Sequence, residues 1–135
     1  MSDFNSGIVE EFRANSGKVG GPFQGAPLLL LTSTGAKSGA LRVNPMMYLQ
    51  DGKRLYVFAT KAGAPTNPDW YHNLLAHPQA TVEVGDERFD VTATVITGAE
   101  RDEVYQRQAA LYPGFAEYET KTSRKIPVVA LERTS

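Results

Sequence analysis

The chain of 135 residues contains no cysteine, which excludes disulfides, thiol nucleophiles and cysteine-ligated metal sites. Histidine is scarce, and His72 and His77 are five positions apart, a poor spacing for a shared metal on one helix. We therefore expect no metal centre. No serine has histidine and carboxylate partners at an informative spacing, so hydrolase chemistry has no support in the sequence.

Long apolar runs are also absent, and none is long enough for a bilayer-spanning helix. The N-terminus lacks the charged and apolar pattern of a secretory signal. These absences predict a cytoplasmic protein without an integral membrane segment, with peripheral membrane contact left open. The length is that of a single domain, which buries roughly two-thirds of its unfolded surface.

Positive charge is concentrated in one part of the chain, although the net charge is only −1. Between Pro22 and Pro68 the sole acidic residue is Asp51 against five lysines and arginines, whereas the remainder is acidic. A confined positive region favours one anionic ligand. Nucleic acid would require a broader basic face and a pI above the value of 6.1 found here.

The hydrophobic pattern predicts six strands, over residues 27–34, 43–50, 54–60, 80–84, 88–96 and 126–132. Asp51-Gly52 and Gly85-Asp86 are two-residue turn signals between such runs. Strands joined mostly by hairpins indicate an antiparallel barrel in a mainly β, α+β fold. We expect an N-terminal helix and connector over residues 1–25 and the barrel over residues 26–135.

Three helices accompany these strands in the prediction. The first, residues 3–15, is either a membrane-skimming helix or lid, or an amphipathic helix packed on the domain; its acidic polar face favours packing. The second has proline at its first position, at Asn67-Pro68, and ends near His77. The third begins at Thr97, whose spacing to Glu100 is that of a capping box, and runs to about residue 111.

The most informative segment is the loop of residues 35–42, which follows an apolar strand. Its small residues offer backbone N–H groups, and Lys37 and Arg42 add charge, which suits the phosphate of a nucleotide-like cofactor. A solvated hairpin is the alternative interpretation, since the loop matches neither a phosphate loop nor a dinucleotide fingerprint.

Three other segments suit a planar ligand. Small residues at 60–63 allow a ring to approach the backbone. Trp70 and Asn73 share a helix face that could hold a heterocycle, with a core position as the alternative for the tryptophan. Aromatic residues around Pro113-Gly114 form either core or a mobile wall over a substrate.

Together, the stretches TGAKSGALRVNP, ATKAGAPTNPDWYHNL and YPGFAEYETKTSRKIPVVAL, with the Asp-Gly hairpin between the first two, resemble the deazaflavin-dependent nitroreductase family. These oxidoreductases use coenzyme F-420. The resemblance implies a split β-barrel of the FMN-binding-like type that holds the deazaflavin in a groove. It also implies hydride transfer from the reduced coenzyme to a quinone-like or nitroaromatic acceptor, in a monomer or homodimer.

The resemblance implies the following cofactor-binding residues: Lys37, Ser38, Gly39, Arg42, Asn44, Pro45, Met47, Ala59, Thr60, Lys61, Ala62, Gly63, Asn67, Pro68, Asp69, Trp70 and Asn73. It implies catalytic roles for Tyr118, Tyr112 and Thr60, with Tyr118 or ordered water donating a hydrogen bond to the acceptor. Phe115 replaces a tyrosine that is frequent in nitro-drug activators, so nitroimidazole reduction is not implied.

Three other hypotheses stay open at this stage. One is an FMN-dependent oxidoreductase on the same barrel. The second is a non-catalytic protein that binds or carries a deazaflavin. The third is an interaction barrel without a ligand.

Overall fold

The computed structural model describes residues 3–15, 27–52, 54–60, 66–122 and 125–134, with side chains from residue 7 onward. Its strands form a closed antiparallel barrel in the order β1-β2-β3-β6-β5-β4. The strands are β1 Leu28–Thr34, β2 Leu41–Asp51, β3 Arg54–Phe58, β4 Gln79–Val84, β5 Glu87–Ile96 and β6 Val128–Arg133. The helices are α1 Asp3–Ala14, α2 Asp69–Ala76, α3 Gly98–Leu111 and α4 Gly114–Lys121. The predicted antiparallel barrel is confirmed.

Two tight turns set the register of the barrel. Val84 pairs with Glu87 around Gly85-Asp86, as predicted. In the other hairpin Asp51 pairs with Arg54, so the turn begins one residue later than predicted, at Gly52. Gly52 and Gly85 have φ values of 61° and 58°, which glycine adopts without steric cost.

The connections divide the barrel into two ends. The turns after β2 and β4 lie at one end, which we name the turn end. The register places the β1–β2 loop, the α2 segment between β3 and β4, and the α3–α4 segment between β5 and β6 at the opposite end. We name this the loop end.

The barrel interior is filled by alternate strand residues and by two residues of α2. Trp70, 8% exposed, and Leu74 belong to the same buried cluster as inward-facing residues such as Leu29 and Val129. Helix α2 therefore contributes to the core at the loop end. Trp70 takes the core position that was the alternative to ligand contact.

The other helices cover the outside of the barrel. Buried residues of α1, including Phe12, pack against Leu28 and Leu30 of β1, which is the packed amphipathic helix favoured by the sequence. Helices α3 and α4 cover a second patch around Phe58 and Val128. No helix in the described ranges is both long and apolar enough to span a bilayer.

Helix starts differ from the prediction in two places. Pro68 is the N-cap of α2 rather than its first helical residue. Thr97 is the N-cap of α3, but its side chain makes no capping hydrogen bond, so the capping-box prediction is wrong. Gly98 follows with a φ of 65°, so the chain enters α3 by a path that L-residues rarely adopt. Helix α4 was not predicted.

Candidate functional site

A cleft of about 1090 Å³ opens at the loop end, between the β1–β2 loop, the start of β2 and the first turns of α2. Its lining residues are Gly35, Ala36, Lys37, Ser38, Leu41, Arg42, Val43, Asn44, Asp69, His72 and Asn73. Segments from distant parts of the chain thus meet at one concave surface, which is the usual form of a small-molecule site.

Internal hydrogen bonds fix the β1–β2 loop. The Gly35 N–H donates to the Ala40 carbonyl at 2.8 Å, and the Gly39 N–H donates to the Gly35 carbonyl at 3.0 Å. The Ala40 N–H donates to the Ser38 hydroxyl at 3.1 Å. A Cβ at position 35 would lie 2.6 Å from that hydroxyl oxygen and 3.2 Å from the Ala40 carbonyl oxygen, so any larger residue would require the Ser38 side chain to move.

Asn73 ties this loop to α2. Its Oδ1 accepts from the Ala36 N–H at 2.9 Å, and its Nδ2 donates to the Ser33 hydroxyl at 3.3 Å. Asn73 is 7% exposed and Ser33 is 1% exposed. Both polar atoms of the amide are therefore engaged within the protein, and Asn73 lines the cleft while supporting the loop.

Two adjacent backbone donors of the loop are left over. After the bonds described above, the N–H groups of Lys37 and Ser38 have no hydrogen-bond partner among the described residues. The exposed side chains of Lys37 and Arg42 lie on the same wall. Consecutive N–H groups beside cations form a site for an anion such as phosphate.

The cleft brings together some of the predicted cofactor residues and not others. Lys37, Ser38, Arg42, Asn44, Asp69 and Asn73 line it; Gly39, Pro45, Met47, Ala59, Thr60, Asn67, Pro68 and Trp70 do not. Met47 packs on the outer surface of the barrel, beneath α1 and beneath α3 and α4. Predicted residues Lys61, Ala62 and Gly63 lie outside the described residues.

The predicted catalytic tyrosines lie on a different surface. Tyr112, Phe115 and Tyr118, which we name the aromatic wall, pack on the barrel exterior. Phe115 is central, with ring centroids 6.4 Å from Tyr112, 5.6 Å from Tyr118 and 5.5 Å from Phe58. Phe58 is the last residue of β3, so the wall stands beside the segment that leads to Thr60.

Two residues with titratable side chains near these surfaces were not among the predicted site residues. His72 lines the cleft three positions after Asp69; that helical spacing was a signal available in the sequence. Tyr48 of β2 is half-buried, and burial, followed by the proximity of Tyr112, raises its pKa above 10.0. Its phenol is therefore protonated at neutral pH and can donate a hydrogen bond. Nothing in the local sequence indicated that Tyr112 would lie close enough to affect the pKa of Tyr48.

A family model for F420H(2)-dependent quinone reductases matches residues 7–133. The chain belongs to this family. It is similar to an F420H(2)-dependent quinone reductase of Mycobacterium tuberculosis, with 39% identity over 129 residues, 90% of this chain and 85% of the relative. The cofactor and the reductase class implied by the sequence resemblance are thereby confirmed.

Two solved structures agree with this membership in the F420H(2)-dependent quinone reductase family. One is an F420-H2 dependent reductase (FDR-A), 41% identical with a TM-score of 0.72, over 78% of this chain and 94% of that chain. The other, described as a domain-swapped dimer, is 41% identical with a TM-score of 0.73, over 78% of this chain and 80% of that chain. The predicted split-barrel architecture is therefore confirmed.

Proposed function

We propose that this chain binds reduced coenzyme F-420 with its phosphate-bearing tail in the cleft and promotes hydride transfer to a quinone-like acceptor at the aromatic wall. The observation that carries the cleft assignment is the pair of N–H groups at Lys37 and Ser38, which have no partner among the described residues and lie in a cleft that Arg42 also lines. Such a pair recognises a phosphate oxygen through hydrogen bonds that charge strengthens.

The residues present fit this cofactor. The cleft, at about 1090 Å³, reaches the upper size of pockets that hold small molecules and cofactors, roughly 1,000 Å³. Lys37 and Arg42 supply two cations for the anionic tail, whereas Asp69 is the acidic residue among the lining residues. The balance of charge in the cleft thus favours an anion.

The reduced deazaflavin, when bound, supplies a hydride. The protein then has to hold an acceptor at the correct distance, exclude water and provide a proton. We assign the proton or hydrogen bond to the phenols of Tyr118 and Tyr112, and assign Thr60 to the cofactor side. None of these roles requires a strongly acidic or basic side chain.

A quinone-like ring is the acceptor that we assign to the aromatic wall. The relatives are named quinone reductases, which supports a quinone-like ring against the aromatic wall. Phe115 is buried at the centre of the wall, 8% exposed, so the half-buried rings of Tyr112 and Tyr118 provide the surface on which an acceptor ring could stack. A nitroaromatic acceptor remains the second possibility predicted from the sequence.

A fluorescence titration with coenzyme F-420 tests the cleft. Lys37→Ala combined with Arg42→Ala should raise Kd at least tenfold, because two charged contacts of roughly 1.5 to 3 kcal/mol each are lost. Kd should also depend less steeply on salt concentration.

The matched control is Arg88→Ala, which removes an exposed cation near the turn end and should leave Kd unchanged. Failure of the unaltered protein to bind would refute the proposed function. Binding that survives the double substitution would place the tail elsewhere.

The same preparation separates the other hypotheses drawn from the sequence. Tighter binding of FMN than of F-420 would support an FMN enzyme. F-420 binding without steady-state reduction of menadione would support a carrier. We expect F-420 binding together with turnover.

We further propose that the protein is a homodimer, supported by the relative described as a domain-swapped dimer. Light scattering after size-exclusion chromatography should give twice the chain mass of 14.7 kDa. A mass equal to one chain would exclude a stable dimer.

A further inference from the structure

A buried arginine on α3 holds the segment that precedes β6. Arg101 is only 5% exposed. Its Nε and Nη2 donate to the carbonyl of Ile126 at 3.0 and 2.8 Å. The Nη2 atom also contacts Glu119 of α4 at 3.3 Å, so one guanidinium joins three parts of the chain.

The same guanidinium packs over an aromatic ring that supports the wall. The Cζ atom of Arg101 lies 4.6 Å from the ring centroid of Tyr105. The Tyr105 hydroxyl donates to the Phe115 carbonyl at 2.6 Å in a buried position. Arg101 and Tyr105 therefore act on consecutive turns of α4, the first by an ion pair with Glu119 and the second by a hydrogen bond to Phe115.

This cluster also reaches the end of β3. Ile126, held by Arg101, is followed by Pro127, whose carbonyl accepts the Ala59 N–H at 3.0 Å. Ala59 immediately precedes Thr60. The contacts of Arg101 thus connect the aromatic wall with the backbone from which the predicted cofactor-side residue extends.

The contribution of Arg101 to the free energy of unfolding does not by itself explain why a charge is buried here. A buried charge pays a desolvation penalty of several kcal/mol, and well-packed apolar residues often stabilise a fold at least as well. A planar guanidinium does, however, fix its partners in one geometry through several directed donors. A buried arginine of this kind is better explained by a need to hold the aromatic wall in one fixed geometry.

We propose that Arg101 is a positioning residue that sets the aromatic wall against the end of β3 and so fixes where the acceptor binds. It acts through Ile126, Glu119 and Tyr105 and touches neither cofactor nor acceptor. The inference rests on the proposed function for the role of the wall, but the contacts by which Arg101 holds the wall and the end of β3 do not depend on that function.

Two variants and two readouts test this role. In Arg101→Lys and Tyr105→Phe, amide hydrogen exchange of the protein without cofactor should accelerate at least fivefold over residues 112–122 and 125–130. It should stay unchanged over residues 28–34. With reduced F-420, the acceptor KM should rise at least fivefold, whereas the Kd of F-420 should stay within twofold.

Controls on the same helix separate positioning from general loss of stability. Arg107→Gln removes an exposed ion pair with Asp51, 3.0 Å long. Gln108→Leu alters a residue that is 0% exposed, with no side-chain hydrogen-bond partner among the described residues. Neither should change the acceptor KM or the exchange of residues 112–122.

Unchanged exchange and unchanged KM in both variants would overturn the proposal. So would an equal loss of F-420 affinity, which would indicate a global effect. If Arg101→Lys does not fold, Tyr105→Phe decides alone, because it keeps the ring and removes the hydroxyl that donates to the Phe115 carbonyl. If the unaltered protein does not bind F-420, the proposed function fails, and hydrogen exchange still decides the role of Arg101.

Discussion

The two ends of the barrel connect neighbouring strands in different ways. At the turn end, Gly52 and Gly85 allow neighbouring strands to join through two-residue turns. At the loop end, the connection between β1 and β2 takes residues 35–40 and leaves two N–H groups without partners among the described residues. Minimal turns specify register, whereas longer connections can devote backbone groups to a ligand.

The largest effect should come from removing the support of the loop. Asn73→Ala deletes two hydrogen bonds and leaves the Ala36 N–H without its acceptor, so we expect a loss of about 2 to 3 kcal/mol in the free energy of unfolding. The Kd of F-420 should rise at least tenfold because the loop loses its anchor. Urea denaturation and fluorescence titration measure the two effects.

Ser33→Ala is the control for Asn73→Ala. It removes only the bond to Nδ2, so stability should fall by about 1 kcal/mol while the affinity for F-420 is retained. If Asn73→Ala kept normal affinity, the loop would hold its shape without α2, and the contrast between the ends would weaken.

The next largest effect is expected from alanine substitutions at two matched glycines, one at each end of the barrel. Gly39 in the loop and Gly52 in the turn have φ values of 70° and 61°, and an added Cβ would meet no atom within 4 Å at either position. Alanine should therefore cost a similar strain of about 1 to 2 kcal/mol in each. Only Gly39→Ala should weaken F-420 binding, by several-fold, in titrations compared at equal folded fraction. Equal weakening in both variants would show that the two ends are coupled.

The smallest effect concerns Tyr48, in the body of the barrel between the two ends. Burial and Tyr112 raise its pKa above 10.0, so its contribution to stability is complete below pH 10 and is lost as pH rises through the raised value. Thermal unfolding between pH 8 and 11 should show a steeper alkaline loss for the unaltered protein than for Tyr48→Phe. Parallel curves would show that the phenol is as well solvated as in the unfolded chain.

Local patterns predicted the turn end well and the loop end partly. Strand alternation and the two glycine turns depend on neighbouring residues, so the six strands and the antiparallel barrel could be predicted from them. The strand order β1-β2-β3-β6-β5-β4 was not predicted, because it depends on pairing between distant strands. Helix α4 was missed because Pro113-Gly114 is typical of a break, whereas the packing of Phe115 against Phe58 stabilises a helix there. That contact joins positions far apart in the chain.

In the candidate site, too, some residues could be predicted from the local sequence and others could not. Lys37 and Arg42 could be identified from the local excess of positive charge, and they line the cleft. The role of Asn73 could not be predicted, because the partners of its amide come from β1 and the loop. The burial of Trp70 likewise depends on how α2 meets the barrel interior.

The closure of the barrel gives the N-terminal helix a particular importance. The first strand meets the fourth over Leu30–Thr32, and Arg13 of α1 crosses to Glu83 of β4 through contacts of 3.1 and 2.8 Å. Helix α1 is therefore connected to β4, next to the β1–β4 pairing that closes the barrel. Loss of α1 would remove this ion pair and uncover Leu28 and Leu30, and the newly exposed apolar surface would lower the solubility of the protein.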